Sequence, residues 1–251
     1  MKNLNIITVV RNDFKNLKKT YHSINKLISA GAKWIVVDGG NDEQTFNWCK
    51  NLKSANFKYL REIDSGIYDA MNKGIRLSEK DSYLWFLNSG DTNLIEKDVL
   101  NKKLKKAKDD AFSVIKFNLI VNKKIRSENI NKFFLIFNSP NHQSIFVKKE
   151  IHDLFYDDLK LAGDYGNFLN VFFDKNFKLL DVNEAIVSYD LDGITSRNDQ
   201  KNTIRLERIK SSYRSFIRNK KLFILLIVLI QSIMYLPYFM FPKFKIKRFK
   251  D

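Results

Sequence analysis

Short apolar runs alternate with helical patterns over the first 90 residues of the chain. Runs rich in β-branched and aromatic residues predict strands at 6–10, 34–37, 57–60 and 83–87. Between them, apolar residues recur at helical spacing and predict helices at 14–28, 46–52 and 67–77. Because parallel strands need crossover connections, this alternation predicts an α/β domain with a mainly parallel central sheet and helices on both faces.

The pattern weakens and then returns in the second half of this domain. Residues 98–140 are rich in lysine and less regular, with strand-like pieces at 112–117 and 119–121. Beyond them we predict a strand, a helix and two further apolar runs, at 143–147, 163–173, 177–180 and 186–189. A polar loop follows, so we expect the α/β domain to occupy residues 1–200.

The C-terminal segment has a different character. Apolar residues from 204 to 217 share one helical face among arginines and lysines, and residues 222–241 are apolar except for Gln231 and Ser232. The second run reaches the roughly 20 residues that span a bilayer, but basic clusters flank both its ends and Pro237 lies inside it. We therefore expect insertion in the membrane plane or as a hairpin, with both ends cytoplasmic. A helix packed on the domain is the alternative.

The charge of the chain is concentrated in this tail. The formal net charge is +16, and residues 201–251 hold 13 of the 44 Lys and Arg residues but only 2 of the 28 Asp and Glu residues. A protein that binds duplex nucleic acid more often spreads a basic stripe over its folded domain. We therefore expect the tail to bind a membrane surface, and we expect no nucleic-acid partner.

Composition excludes several other classes of protein. Of the 251 residues, 44% are hydrophobic, which allows a sizeable core, and the 9 Gly and 3 Pro exclude collagen-like and low-complexity chains. The single cysteine, Cys49, excludes an intrachain disulfide framework. The first apolar run, at 6–10, is too short for a signal peptide, so we expect the chain to start in the cytoplasm.

Three aspartates occupy positions where a carboxylate can meet a ligand. Asp38 and Asp91 lie at the carboxyl ends of predicted strands, where parallel sheets bind their ligands. Asp38 can accept hydrogen bonds from a nucleotide, or form a turn with the two glycines after it. Asp91 suits a hard cation such as Mg²⁺ or Mn²⁺, which needs only one or two protein carboxylates besides phosphate oxygens. Asp164 begins a predicted helix, as a general base or as an N-cap.

Two further strings carry candidate chemistry. The string from Glu62 to Gly74 places acidic, amide and cationic side chains at the start of a helix, where backbone N–H groups favour anions. His142 lies in Pro-Asn-His-Gln before a predicted strand, although a lone histidine is more often structural. As ordered strings, these patterns are more specific than their single residues.

Taken in order, these strings resemble the inverting glycosyltransferases of family two, which have a GT-A fold. The resemblance is greatest to the bacterial branch that builds capsule, colanic-acid-like or O-antigen polysaccharide. It covers residues 4–197 and is most specific in Asp64-Ser-Gly-Ile-Tyr-Asp-Ala-Met-Asn-Lys-Gly74 and Phe86-Leu-Asn-Ser-Gly-Asp91. It implies transfer from a UDP- or GDP-type nucleotide-sugar donor to a hydroxyl of a lipid-linked oligosaccharide acceptor, with Mg²⁺ or Mn²⁺ as cofactor. It also implies a location at the cytoplasmic face of the bacterial inner membrane.

The resemblance implies roles for individual residues as well. Asp164 would be the catalytic base that deprotonates the acceptor hydroxyl, and Asp91 would be the metal-binding aspartate. Asp38 and Asp64 would contact the nucleotide. The other residues expected in the donor site are Thr8, Arg11, Gly66, Tyr68, Asn72, Lys73, Asn88, His142 and Arg197, the last in a loop that would cover the site.

The sequence departs from the common pattern of this family at three places, the first of which is the loop after Gly40, where Asn-Asp-Glu-Gln-Thr replaces the usual Ser/Thr-rich continuation. Asn88 and Gly90 stand where many members have aspartates, so Asp91 is the one carboxylate in the string from Phe86 to Asp91. Gly163, directly before Asp164, stands where members frequently have a glutamate. An inactive relative and a non-enzymatic membrane-binding protein are therefore alternatives. A nucleotidyltransferase of similar fold is a third, disfavoured because Arg11 leads straight into a helix where such enzymes have a glycine-rich loop.

Overall fold

The computed structural model describes residues 1–189 and 200–240, and over these ranges the chain forms nine strands and eight α-helices. The strands are β1 (Leu4–Val10), β2 (Lys33–Asp38), β3 (Phe57–Arg61), β4 (Tyr83–Phe86), β5 (Thr92–Asn93), β6 (Val114–Val121), β7 (Lys124–Arg126), β8 (Ile145–Lys148) and β9 (Leu179–Tyr189). The helices are α1 (Phe14–Ser29), α2 (Glu43–Asn51), α3 (Ile67–Leu77), α4 (Lys97–Asp109), α5 (Lys132–Phe137), α6 (Gly163–Phe172), α7 (Lys201–Asn219) and α8 (Leu222–Met240).

The described strands form one sheet in the order β3-β2-β1-β4-β8-β6-β9-β5, with β7 paired to β6. Strands β1 to β4 pair in parallel, as their alternation with helices predicts. In contrast, β8 runs antiparallel to β4 and β6, and β5 runs antiparallel to β9. β6 and β9 pair in parallel. The sheet is therefore mixed, and the prediction of a mainly parallel sheet is wrong for β5, β7 and β8. The chain returns from β6 to β8 through the β7 hairpin and α5, without the crossover that a parallel pair needs.

Helices cover both faces of this sheet, as predicted. Alternate residues of β1 separate the two layers, because successive side chains of a strand point to opposite faces. Leu4 and Ile6 pack in the core that contains α1, α2 and α4, whereas Ile7 packs in the core that contains α3. This arrangement places the start of α3 beside the carboxyl end of β1, at the edge where a ligand is expected.

The structure corrects the prediction for the least regular stretch of the sequence. Helix α4 lies within the lysine-rich region, where Leu100, Leu104 and Ala107 form its buried face. The two strand-like pieces at 112–121 form the single strand β6. The apolar runs before the polar loop likewise belong to one strand, β9, whose middle carries polar residues.

Helices α7 and α8 pack against the α/β domain. Ile224 and Ile227 of α8 are fully buried in the core that α5 and α6 share. Gln231 is also fully buried: its amide oxygen accepts a hydrogen bond from Ser212 (2.9 Å), and its amide nitrogen donates to the Tyr165 hydroxyl (2.9 Å). The inner face of α8 therefore adopts the alternative arrangement, that of a helix packed on the domain.

The outward face of α8 is apolar and exposed. Its residues recur every three or four positions: Leu222, Leu226, Leu229, Ile233 and Leu236. Within residues 1–189 and 200–240, no helix combines the length and the apolar character needed to cross a membrane. The membrane role of the tail and its boundary at residue 200 stay predictions.

Candidate active site

A cleft of about 970 Å³ opens at the carboxyl ends of β1 and β4. The end of β1, the start of α3, the turn after β4, the segment before β8, the start of α6 and one side of α7 form its walls. The predicted site residues that line this cleft are Arg11, Tyr68, Asn88, Asp91, His142 and Asp164. The fold thus gathers side chains that lie far apart in the sequence.

Asp91 lies in the turn after β4 with 9% of its surface exposed. The Thr20 hydroxyl fixes this turn, because it donates to the carbonyl oxygen of Asp91 (2.9 Å) and accepts from the N–H of Gly90 (2.9 Å). The Asp91 carboxylate accepts a hydrogen bond from the Gln143 amide (2.7 Å). Burial raises the pKa of Asp91 to about 6, because loss of water disfavours the charged form. The turn thus holds a buried carboxylate whose negative charge is only partly stabilised by neighbouring groups of the chain.

Asn88 offers a second oxygen in the same turn. Its Oδ1 is buried and has no hydrogen-bond partner among the described residues. Mg²⁺ and Mn²⁺ prefer oxygen ligands, and they take few from the protein when phosphate oxygens complete the shell. The buried Asp91 carboxylate and this unpaired amide oxygen fit such a cation. Within residues 1–189 and 200–240, at this turn or elsewhere, no three His, Cys, Asp or Glu side chains form a group that could hold a metal ion.

Asp164 lies in the first turn of α6 and is held in one orientation. The Tyr68 hydroxyl of α3 donates to Oδ1 of Asp164 (3.1 Å), and the N–H of Tyr165 donates to the same oxygen (2.9 Å). Gly163 permits this contact, because a Cβ atom at Gly163 would lie only 2.8 Å from the Tyr68 ring. The side chain of Asp164 remains 20% exposed, so a substrate can reach the oriented carboxylate.

His142 lies between Asp164 and Asn88 in the cleft. It begins a short 3-10 helix, His142–Ser144, directly before β8. Its Nδ1 lies 3.4 Å from Oδ2 of Asp164, and its Nε2 lies 3.4 Å from Nδ2 of Asn88. The lone histidine of the sequence pattern therefore lies between the strand-end turn and the start of α6.

Helix α7 fixes the backbone in front of Asp164. The carboxylate of Glu207, which is 8% exposed, accepts hydrogen bonds from the N–H groups of Lys160 (3.0 Å), Leu161 (2.7 Å) and Ala162 (2.9 Å). Sequence reasoning missed Glu207, because no local pattern links it to a segment 45 positions earlier. The orientation of Asp164 thus depends on a residue of the C-terminal helices.

Two of the residues predicted for the donor site are buried away from the cleft. Thr8 is fully buried, and its hydroxyl accepts a hydrogen bond from the Trp34 indole (3.0 Å). Asp38 is also fully buried, and its carboxylate accepts from the N–H of Gly40 (2.9 Å) and from the Tyr59 hydroxyl (2.7 Å). In this arrangement both side chains already have protein partners, and their contact with a nucleotide stays a prediction.

Asp64 and Gly66 lie beside the end of β2, next to the cleft lining rather than in it. The Asp64 carboxylate packs so closely on Gly39 that a Cβ atom at Gly39 would lie 1.6 Å from Oδ2. Gly66 precedes α3 as its N-cap residue, with a φ of 155°. Gly39 thus makes room for Asp64, which stays a predicted nucleotide contact.

Asn72 and Lys73 hold the segments around the cleft and do not line it. Asn72, 1% exposed, donates to the carbonyl oxygen of Phe155 (3.0 Å) and accepts from the N–H of Phe155 (2.8 Å). The Lys73 ammonium donates to the carbonyl oxygen of Ile63 (2.6 Å) and pairs with Glu62 (2.8 Å). Both residues position neighbouring backbone, and their predicted contact with the donor stays a prediction.

One predicted residue, Arg197, lies outside the described residues. The cleft also contains charged and amide side chains that sequence reasoning did not single out: Lys19, Glu128, Gln143, Lys160 and Arg208. Gln143 directly follows His142, so the string before β8 was the signal that could have revealed it.

Comparison with known families identifies the family of the chain. The sequence model of glycosyl transferase family 2 matches residues 5–159, which is more than half of the chain. The chain belongs to glycosyl transferase family 2. This finding confirms the family predicted from the strings around Asp64 and Asp91. The matched region includes β1 to β8 and ends before α6, so Asp164 and Glu207 lie beyond it.

Solved structures show the same fold as this family 2 protein. S. aureus TarS 1-349 has a TM-score of 0.71 at 15% identity, over 98% of this chain and 76% of that chain. The same TarS segment in complex with UDP has a TM-score of 0.68. The mannosyltransferase PcManGT from Pyrobaculum calidifontis, in complex with GDP-Man and Mn²⁺, has a TM-score of 0.60 at 9% identity, over 95% of this chain and 75% of that chain. At these identities the likeness concerns the fold, and it confirms the predicted GT-A type.

A relative with higher sequence identity is an uncharacterized glycosyltransferase of Mycobacterium tuberculosis. It is 34% identical to this chain over 89 residues. The match spans 35% of this chain and 34% of the relative, about a third of the relative's length.

Proposed function

We propose that this family 2 protein transfers a sugar from a nucleotide-sugar donor to an acceptor hydroxyl with inversion at the anomeric carbon. The observation that carries the proposal is the pair of carboxylates in one cleft. Asp91 follows β4 and suits a cation-bound diphosphate, whereas Asp164 begins α6 and is open to an acceptor. His142 bridges the distance between their walls of the cleft.

In this proposal the chain's own residues orient the acceptor and accept its proton. Asp164 takes the proton from the acceptor hydroxyl as the oxygen attacks the anomeric carbon on the face opposite the departing diphosphate. The hydrogen bonds from Tyr68 and Tyr165 occupy Oδ1, which leaves Oδ2 beside His142 as the oxygen that receives the proton. Attack from that side inverts the configuration.

Asp91 and the amide oxygen of Asn88 would hold Mg²⁺ or Mn²⁺ in this mechanism. A divalent cation at that turn would stabilise the negative charge of the leaving diphosphate. Support comes from the buried Asp91 carboxylate, the unpaired Asn88 oxygen and the Mn²⁺ in the structurally similar mannosyltransferase. Arg11 and Lys19 line the same side of the cleft and would contact donor phosphates.

The donor is proposed to be a UDP- or GDP-linked sugar, because structural neighbours are in complex with UDP and with GDP-Man. We propose a lipid-linked oligosaccharide as the acceptor, in bacterial surface polysaccharide synthesis of the capsule or O-antigen type. The resemblance of the strings around Asp64 and Asp91 supports this assignment.

The test is a panel of UDP- and GDP-sugars offered to the full chain with Mn²⁺, with Mg²⁺ and with EDTA. We expect the chain to hydrolyse one of these sugar nucleotides slowly to the nucleoside diphosphate, and we expect the same sugar nucleotide to raise the melting temperature of the chain. Both effects are expected to require the cation. The configuration of the product sugar, followed by NMR, is expected to be opposite to that of the donor. Failure of every sugar nucleotide to bind in the presence of Mn²⁺ would contradict the proposal.

We further propose that the chain acts at the cytoplasmic face of the bacterial inner membrane, bound through the outward face of α8. This face exposes 80% of Leu222, 52% of Leu229 and 71% of Ile233. Phe133 of α5, 74% exposed, adds to the apolar residues of this region, since α5 packs on α8. Exposed apolar patches of this kind favour an apolar partner, and here the partner is a bilayer in which a lipid-linked acceptor would reside.

Basic residues around α8 select an anionic bilayer. Lys210, Lys220 and Lys221 are exposed on the described part of the tail, and the sequence adds five more basic residues from 243 to 250. Each basic residue near an anionic leaflet contributes about 1 kcal/mol of binding. The charge would attract the chain, and the apolar face would keep it bound in high salt.

A double substitution tests this face. The double variant Leu229→Asp with Ile233→Asp is expected to bind phosphatidylglycerol vesicles with about a hundredfold lower affinity, as measured by flotation. The reason is that burial of each apolar side chain contributes about 1.5–3 kcal/mol. Both side chains point outward, so the fold is retained. Ile125→Asp is the matched control, because Ile125 is 68% exposed on β7. Equal flotation of the double variant and the control would exclude α8 as the membrane-binding face.

A further inference from the structure

Arg208 is a cation of the cleft that has buried side-chain donors without a hydrogen-bond partner among the described residues. It lies on α7, outside the region that the family match covers. Its Nη1 donates to the carbonyl oxygen of Phe137 (2.9 Å), and its guanidinium carbon lies 4.5 Å from the centre of the Tyr165 ring. Its Nε and Nη2 are buried and have no hydrogen-bond partner among the described residues. Arg208 therefore carries a fixed positive charge and has hydrogen-bond donors available for a ligand.

Such an arrangement is costly unless a ligand uses it. Buried donors without an acceptor destabilise the fold, and charged donors do so more than neutral ones. A guanidinium also presents its N–H groups as a planar fork, which matches two oxygens of a phosphate. The contacts with Phe137 and Tyr165 hold this fork in place before any ligand arrives. The side chain is therefore prepared for an oxyanion.

The position of Arg208 indicates which substrate carries that oxyanion. Arg208 packs on Tyr165, the residue after the proposed base Asp164, and so lies on the acceptor side of the cleft. On the other side Lys19 lines the cleft directly before Thr20, whose hydroxyl donates to the carbonyl oxygen of Asp91, so the donor diphosphate has its own cation there. Lys160 also lines the acceptor side.

We infer that Arg208 binds a phosphate group attached to the acceptor saccharide and so selects phosphorylated acceptors over neutral ones. The inference rests on the proposed function, since it assigns the acceptor side from Asp164. It makes Arg208 a specificity-determining residue. The phosphate could belong to a lipid-linked saccharide or to a soluble sugar phosphate, and the two share the recognised chemistry.

The test uses the full chain with UDP or GDP and Mn²⁺ present to fill the donor side. Glucose 1-phosphate, inorganic phosphate and neutral glucose are then titrated by calorimetry. We expect glucose 1-phosphate to bind in one equivalent and more tightly than inorganic phosphate, and glucose not to bind. Arg208→Gln is expected to lower the affinity for glucose 1-phosphate at least about tenfold, because hydrogen bonds from a charged donor are lost. Arg214→Gln, on the same helix but paired with Asp158 outside the cleft lining, is the matched control and is expected to bind normally.

Two further measurements keep the outcome decisive. Arg208→Lys retains the charge without the fork, and it is expected to bind with intermediate affinity and with a melting temperature close to that of the unmodified chain. In the unmodified chain, glucose 1-phosphate is expected to protect Arg208 from an arginine-specific dicarbonyl reagent, as mapped by mass spectrometry. A polyprenyl diphosphate saccharide in detergent that competes with glucose 1-phosphate would identify the lipid-linked source, and no competition would identify the soluble one.

The results separate this inference from the proposed function. If the nucleotide binds with Mn²⁺ but Arg208→Gln leaves glucose 1-phosphate affinity unchanged, the Arg208 inference is wrong and the proposed function stands. Equal affinity for inorganic phosphate and glucose 1-phosphate would also contradict it, because the site would then not recognise a saccharide. If no nucleotide binds, the proposed function fails, and the dicarbonyl protection still reports whether Arg208 binds the sugar phosphate.

Discussion

Asp164→Asn is expected to reduce sugar transfer by about a hundredfold or more while it leaves donor binding nearly unchanged, because loss of a general base has that effect on the chemical step. The asparagine oxygen can still accept the hydrogen bonds that Tyr68 and the N–H of Tyr165 donate to Oδ1. The shape of the first turn of α6 is therefore preserved. What is lost is the carboxylate oxygen beside His142 that would receive the proton.

The measurement is turnover with a saturating donor, together with donor affinity in the presence of Mn²⁺. Asp157→Asn is the matched control, since Asp157 is exposed a few residues before α6 and outside the cleft lining. If Asp164→Asn turns over like the control, Asp164 is not the base, and His142 becomes the neighbouring candidate.

Much of the first half of the fold could be predicted from the sequence, because each strand and helix there has a clear local pattern of apolar residues. The strand before Asp91 is a pure apolar run, and α3 begins and ends at the predicted residues 67 and 77. The second half carries weaker local signals. Six lysines surround the short apolar face of α4, and polar residues interrupt β9 in its middle. The antiparallel direction of β8 depends on how distant segments pair, which no window of sequence contains.

The site shows the same division between local and distant information. Asp91, Asp164 and His142 were predictable, because each lies in a short string with a strand end or a helix start beside it. Glu207 and Arg208 were not, since their contacts with the start of α6 and with Phe137 arise only when α7 packs on the domain. The packing of α8 was equally hidden, because its inner apolar face is buried in a core that the sequence alone does not reveal.

Asp91→Asn is expected to abolish the dependence of donor turnover on Mn²⁺ and to lower that turnover by about a hundredfold or more, since a bound cation supplies several kcal/mol of charge stabilisation. The same change is expected to keep or raise the melting temperature without metal. The carboxylate is buried with a neutral amide partner, Gln143, and burial raises the pKa of Asp91 to about 6. The charged form is thus disfavoured in the folded chain, whereas an asparagine oxygen can accept the same hydrogen bond at lower desolvation cost.

Turnover, Mn²⁺-dependent nucleotide affinity and the melting temperature in EDTA together decide whether Asp91 is a ligand or part of the core. Asp81→Asn is the matched control, since Asp81 is exposed before β4 and its positive φ of 54° suits asparagine. A structural role alone would lower the melting temperature along with turnover, because the turn that Thr20 holds would loosen. If turnover is lost while the melting temperature is unchanged or higher, the Asp91 carboxylate serves to bind a cation and does not stabilise the fold.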